Sequence, residues 1–501
     1  MASLIDLPNE LLAHICESAP NNYDERCKTL ASLAKVNRRF HSFATHLLYR
    51  DFYCCCARHL QLFGRTILSD RSLAELVKHF GDRRDRMFDS SGRGCPMVWN
   101  VFALDQALED VVVAWCPSLT IPHTPASFSF ALACNCPNLQ QLDVTNIGNL
   151  LIDHLKTGVF AKGHPSASFS QLCTLNIAVE GCRAYHMKYI SLLFTITSLR
   201  SLSIDMAALN EDEENDMEEI EDVWQCTSGS STLQELTLER CGLPAVWIAQ
   251  MVTSCKTLRE FHLEHYYWDS HQVYYPIVYS ALQTHKNSLA DVRINELNGC
   301  KVFSSIQPDL ATLVSFHDFA ALKHLDFPLH NFSFRKQSRT IEEVLPGSLE
   351  VLTIDLRSAR EGFSDAFFIS LAEAKARFLP RLKSVEVISR IEQFHRNGYL
   401  PLHFCHLRRM YSSYGFEFLY FLEFVQCEFK AAYMEPLLAN MRSAGSDGLE
   451  IAERSSLEAG CLSRTYPSVA CNSRSADAHH SKRSWGYMQD WAGPAEFNAL
   501  T

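Results

Sequence analysis

One short pattern constrains this chain more than anything else in it: Leu233-Gln-Glu-Leu236-Thr-Leu238-Glu-Arg-Cys241-Gly-Leu243, with apolar residues at relative positions one, four and six. Side chains alternate between the faces of an extended strand, so Leu236 and Leu238 lie on the same side. The triplet returns as Leu139/Leu142/Val144, Leu172/Leu175/Ile177, Leu199/Leu202/Ile204, Leu258/Phe261/Leu263, Leu289/Val292/Ile294, Leu322/Leu325/Phe327, Leu349/Leu352/Ile354 and Leu382/Val385/Val387. Successive first residues are 25 to 34 positions apart. A strand with one apolar face cannot bury it alone, so its regular return means that neighbouring copies stack and share one core. Helical segments at 245–254, 274–285 and 364–377 precede copies of the pattern and return the chain to the next rung.

The 501 residues could hold several ordinary domains, but a repeat array weakens that expectation. A net charge of -11 gives no support to nucleic-acid or membrane binding, both of which need basic patches. Neither is an expected partner. The 19 cysteines are odd in number, scattered and set within apolar runs, which reads as reduced core thiols rather than a disulfide framework. The first residues carry neither a basic start nor an apolar run of signal-peptide length. Nowhere do about 18 uncharged apolar residues follow one another, so a cytosolic or nuclear protein is expected.

Residues 1–53 read as three short helices. Asp6, Pro8 and Glu10 form a helix start, and Leu7, Leu11 and Ile15 then share a face with Leu12 beside them. Leu30, Leu33 and Ala34, then Val36, Phe40, Phe43, Ala44, Leu47 and Leu48, continue the helical spacing. About 50 residues bury too little surface for a wide stability margin, so part of this apolar face is expected to dock on something else. The run Leu7-Pro8-x-Glu10-Leu11-Leu12-x-x-Ile15, then Leu30-x-x-Leu33-x-x-Val36-Asn37-Arg38-x-Phe40, then Leu47-Leu48-Tyr49-Arg50, closely resembles the F-box. That resemblance implies docking on the S-phase kinase-associated adaptor protein of cullin-scaffolded ubiquitin ligases. Leu7, Pro8, Leu11, Ile15, Leu33, Val36 and Phe40 would form or support the interface.

Residues 54–132 read as a helical connector, with helices at 72–80 and 98–115, a charged glycine-containing loop from Gly81 to Gly94, and a degenerate capping repeat in which Pro122 and Pro125 interrupt a strand. The array at 133–442 resembles the leucine-rich repeat family, and the whole resembles the irregular fungal type of F-box/leucine-rich-repeat substrate receptor. The expected fold is α/β: a three-helix F-box followed by a curved solenoid, helices outside and parallel strands on the concave face. Position nine, where that family carries Asn or Cys, keeps such a residue clearly only at Cys241. The stretches 416–424 and 431–441 are expected to cap the array. Residues 443–501 lose all apolar rhythm and are expected to be disordered.

Positions three, five and seven of each rung face away from the core. They carry Asp143, Asp205, Glu235, Glu239, Glu260, Glu264, Asp291, Asp326, Asp355 and Glu386, with Arg293 the one Lys or Arg and His262 and His324 besides. Asp205, Glu235, Glu239, Glu260, Glu264, Asp291, Arg293, Asp326 and Asp355 are therefore candidate target-binding residues, suited to a basic segment of a protein partner. Acids kept for solubility on a solvated face remain the other reading. The acidic run 210–222 reads as a solvated insertion between rungs. No phosphate loop or nucleophile elbow is present in the sequence. His262-Leu-Glu-His265 falls on a strand with mixed faces and Cys134-Asn-Cys136 lacks a second ligand pair. A non-catalytic substrate receptor without cofactor or metal is expected, with a repeat scaffold outside ubiquitination as the alternative.

Overall fold

A computed structural model of the chain describes residues 7–20, 23–54, 57–82, 125–144, 169–179, 190–206, 224–266, 275–297, 315–328, 340–355, 365–390 and 402–423. Every triplet that announced a rung lies on or just before a strand of one sheet. The strands are β1 (Asp51–Cys54), β2 (His79–Asp82), β3 (Gln141–Val144), β4 (Thr174–Val179), β5 (Ser201–Met206), β6 (Glu235–Cys241), β7 (Glu260–Tyr266), β8 (Asp291–Leu297), β9 (His324–Pro328), β10 (Val351–Asp355), β11 (Ser384–Arg390) and β12 (Glu417–Glu423). All 12 are parallel and their order in the sheet is their order in the chain. Parallel neighbours require crossovers, and among the described residues helices lie in several of them. The described helices are α1 (Asn9–Glu17), α2 (Tyr23–Leu33), α3 (Arg38–Arg50), α4 (Ala57–Ser69), α5 (Arg71–Ala74), α6 (Pro125–Cys134), α7 (Ala245–Ser254), α8 (Tyr275–Gln283), α9 (Asp365–Arg377) and α10 (Leu402–Ser413). The chain is α/β, built on an open parallel sheet.

Register turns the sequence pattern into a core. The fourth position of every rung pairs with the fourth of the next, from Phe52 through Phe80, Leu142, Leu175, Leu202, Leu236, Phe261, Val292, Leu325, Leu352 and Val385 to Phe418. None of these twelve is more than 8% exposed. Burying a side chain of this size contributes about 1.5–3 kcal/mol. Helices α7 and α8 cover the middle of the ladder: Trp247, Ile248, Met251 and Val252 of α7 and Val278, Ala281 and Leu282 of α8 are buried.

A polar device repeats beside the leucines. The residue just before position one is often a hydroxyl residue that donates to a carbonyl of the preceding rung: Thr232 Oγ1 to Leu199 O at 3.1 Å, Ser288 Oγ to Leu258 O at 2.8 Å and Ser348 Oγ to Leu322 O at 2.7 Å. These bonds satisfy carbonyls at turns that are closed off from water. Between β7 and β8 the buried His285 acts similarly, its Nε2 facing Val252 O at 2.9 Å while Nδ1 accepts from Leu258 N at 3.4 Å. Burial lowers its pKa and keeps the ring neutral, as that pair of bonds requires.

The sheet extends beyond the rungs that leucine revealed. The segment expected as a helix over 72–80 is helical only at α5, which Asp70 caps by accepting from Ser72 N at 2.9 Å. It then becomes β2, so Gly81, expected in a loop, is a strand residue. Phe52 and the Val77/Phe80 pair occupy the rung positions there. Aromatic and β-branched residues suit a strand, but they hide a pattern sought through leucine. The sheet therefore begins at Asp51 rather than near 133, and Pro125 opens a helix, α6, rather than breaking a strand. At the other end 417–423 is a twelfth strand. The expected helix at 98–115, the acidic run 210–222, the cap at 431–441 and the tail at 443–501 lie outside the described residues.

Helices α1 to α3 enclose a separate small core of Leu12, Cys16, Ala19, Leu30, Phe40, Ala44 and Leu47. Asn37 caps α3 by accepting from Phe40 N at 2.9 Å, and Arg39 ties α3 to the start of α1 through Leu7 O at 2.7 Å and Asn9 Oδ1 at 2.6 Å. Asp6 lies outside the described residues, and Pro8 occupies the N-cap position of α1.

Candidate functional site

Two surfaces collect the candidate residues. The first is the face of the sheet opposite the core. Glu235, Glu260 and Asp291 stand in register on β6, β7 and β8, followed by His324 on β9. Neighbouring strands are about 4.8 Å apart, so the three carboxylates form one row of like charge. Burial raises the Glu260 pKa, and the flanking Glu235 and Asp291 charges raise it further. Asp291 is compensated. Arg293 donates Nε to its Oδ1 at 3.0 Å and Nη2 to its Oδ2 at 2.9 Å, and His324 Nδ1 stands 3.1 Å from Oδ2. The bidentate bond raises the Arg293 pKa.

The next row on this face is Thr237, His262, Arg293 and Asp326. His262 Nε2 is buried without a hydrogen-bond partner, and burial with the nearby Arg293 charge lowers its pKa. His265, three residues on, is buried on β7 instead of sharing a site with His262. Among the described residues no group of His, Cys, Asp and Glu could hold a metal ion.

The structure thus divides the acids. Glu235 and Glu260 are exposed, and Glu239 and Glu264 are half-buried nearer the C-terminal ends of their strands. Asp205 is joined to Arg240 by a double ion pair, with Nε to Oδ1 at 2.8 Å and Nη2 on Oδ2. Asn295 faces Asp326 and, with its amide nitrogen turned inward, donates to both carboxylate oxygens at 3.2 and 3.3 Å. The side chain of Asp355 lies outside the described residues. Arg240 escaped the sequence reading because a regular strand would not bring it beside Asp205. A register shift between Leu238 and Cys241 and a φ of 47° at Arg240 turn it there. Among the described acids of this face, Glu235 and Glu260 are an exposed neighbouring pair beside the mutually bonded Asp291/Arg293/His324 cluster, and Glu417 is exposed further along on β12.

The second surface is on the N-terminal helices. Leu11, Ile15 and Val36 are 49%, 37% and 54% exposed, and Pro8 is exposed as well. Leu7 and Leu33 are half-buried against the small core. Phe40 takes a supporting place: at 1% exposed it belongs to the bundle interior, where it packs under the helices. Helical geometry explains the split, since Leu11 and Ile15 are one turn apart on one stripe while Leu12 and Cys16 turn inward on the adjacent stripe.

Among the described residues no helix is long and apolar enough to cross a membrane. No family model matches the chain, and no curated protein matches it either.

Proposed function

We propose that this chain is the substrate-recognition subunit of a Skp/cullin/F-box type ubiquitin ligase. In this reading α1 to α3 are an F-box that docks on the adaptor protein, and through it on the cullin scaffold. The rungs form a leucine-rich-repeat solenoid whose open face holds the target. The observation that carries the reading is the exposure of Leu11, Ile15 and Val36 on a bundle whose own core is complete without them. Large apolar side chains facing water, two of them one turn apart on α1, mark an interaction surface. The carboxylates Glu235 and Glu260 supply the second half, favouring a target segment that carries Lys or Arg. The chain's part in catalysis is positioning: it raises the concentration of target lysines near a ubiquitin thioester without a reacting group of its own.

The test is co-expression with the adaptor and cullin. Leu11→Ser/Ile15→Ser should abolish co-purification while leaving the thermal unfolding of the chain unchanged, because neither side chain belongs to a core. Retention of the adaptor by the double variant refutes the assignment of this surface. If the unaltered chain fails to bring down the adaptor, the alternative of a repeat scaffold outside ubiquitination takes its place.

A further inference from the structure

The residue that leads into each strand has a fixed place in this fold. Its carbonyl accepts amides from the next rung, as Arg200 O accepts Gln234 N at 2.8 Å and Glu235 N at 3.0 Å, and Arg259 O accepts Ala290 N at 2.7 Å and Asp291 N at 3.1 Å. The lead residues therefore form a ladder along one edge of the sheet. From β5 to β11 they read Arg200, Gln234, Arg259, Ala290, Lys323, Glu350 and Lys383, with a cation on every second strand. All four cations are exposed. Lys256, Lys286 and Arg381, in the turns before β7, β8 and β11, are exposed at the same edge. The acids here are Glu350, paired with Lys383, and Asp318, whose Oδ1 lies 3.0 Å from His317 Nδ1. The lead residues stand just ahead of the strands, and the charges that act on Glu260 are Glu235, Asp291, Arg293 and His324, none of them a lead cation.

We propose that this edge, from Arg200 to Lys383, is a docking site for an extended acidic protein segment with a carboxylate at every third residue. Alternate strands are about 9.6 Å apart. A polyproline II chain advances about 9.3 Å in three residues and returns to the same side in that interval, whereas a β-strand places its residues i and i+3 on opposite sides. The four cations span six strand intervals, about 29 Å, which fits roughly ten residues of such a chain. A nucleic acid is a poorer match. Its closely spaced phosphates call for a continuous basic track, and here Gln234, Ala290 and Glu350 interrupt it. This surface differs in place and in sign from the acidic face, and the inference does not depend on the ligase reading.

The experiment uses the full chain and fluorescence anisotropy. The probe is a labelled peptide of about twelve residues with Glu at every third position and Pro between, which holds the polyproline II form. The comparators are a peptide of the same composition with its Glu residues in one block, and a single-stranded RNA of similar length. The spaced peptide should bind tightest and weaken as salt rises. Arg259→Glu/Lys323→Glu/Lys383→Glu should lower its affinity about tenfold or more, as expected when three surface ion pairs are lost together. Arg259→Gln/Lys323→Gln/Lys383→Gln should give a smaller loss in the same direction and serves if the reversals disturb folding. No binding of the spaced peptide, equal or tighter binding of the block or the RNA, or no effect of either triple variant overturns the proposal.

Discussion

Asp51 is where the two cores meet, and replacing it by Asn should loosen the join. Helix α3 ends at Arg50 and β1 begins at Asp51; Lys78 N donates to Arg50 O at 2.9 Å and Tyr49 stacks on Phe63 across the join, and the Asp51 side chain adds the polar ties. The Asp51 carboxylate is 10% exposed and faces His79 Nδ1 at 2.7 Å, Arg50 Nη2 at 3.1 Å and Arg26 Nη1 at 3.4 Å. Tyr23 completes the joint, donating its hydroxyl to Asp51 O at 3.3 Å and accepting from Tyr53 N at 3.0 Å. Burial would raise the carboxyl pKa, but hydrogen bonds from His79 and Arg50, with their charges, outweigh it and lower the value from 3.8 to about 2. A depression of that size corresponds to roughly 2 kcal/mol of stability. Because the folded value is the lower one, that stabilisation is full above about 3.8 and is lost as pH falls through about 2. Asp51→Asn should therefore lower unfolding stability by roughly 2 kcal/mol at pH 7 in urea titrations, and the gap to the unaltered chain should narrow below pH 4. Amide exchange at Tyr53, whose N–H depends on Tyr23, should accelerate in the variant. A loss within about 0.5 kcal/mol of zero at pH 7, the ordinary range for surface substitutions, would refute this account of the joint.

Leu236→Ala, in the middle of the buried ladder at 1% exposure, should cost about 2–5 kcal/mol by urea titration. Leu11→Ala, at 49% exposure, should change stability by less than about 0.5 kcal/mol. Gly81→Ala should destabilise by about 1–3 kcal/mol, since an added Cβ would stand 2.7 and 2.9 Å from ring carbons of Tyr53 and that ring is held edge-on by Tyr23 at 5.2 Å. Glu260→Gln should raise the thermal midpoint at neutral pH and have little effect once the carboxyl is protonated. A raised folded pKa means that the ionised form is the strained one. Reversing Glu235 and Glu260 together, with target binding followed against salt, separates a recognition face from a merely solvated one: unchanged affinity removes these acids from recognition.

The fold was largely legible because its information is periodic. Nine leucine-type triplets suffice to place nine strands, and the helix expected over 245–254 has the boundaries of α7. The strands that escaped, β1, β2 and β12, carry their rung positions on Phe52, Phe80 and Phe418 and follow unlike spacings. Their membership in the sheet is a matter of register, which a single rung does not encode. The candidate site was legible by position but not by state. Alternation put the acids on the right face; pairing then removed Asp205 and Asp291 from the free set through Arg240 and Arg293, and only three-dimensional placement reveals that. Phe40 shows the same limit in the bundle, where a motif residue and a core residue look alike in sequence.

The joint at Asp51 also bears on what this architecture can do. The exposed stripe of α1 lies outside one core and the carboxylate row of β6 to β8 lies on the sheet face opposite another. Hydrophobic burial alone would leave each core stable and their relation weakly determined, because that force has no direction. Ion pairs and hydrogen bonds are directional, and Asp51 draws its partners from α2, α3 and β2 at once, so it adds directional ties to the Tyr49–Phe63 stack and the Lys78–Arg50 backbone bond that also span the join. Under the ligase reading the relation of the two cores sets where a held target lies relative to the adaptor. Asp51→Asn should then lower the rate of target ubiquitination in a reconstituted ligase while leaving adaptor affinity and target affinity unchanged. Loss of either affinity instead would mean that the joint only supports folding.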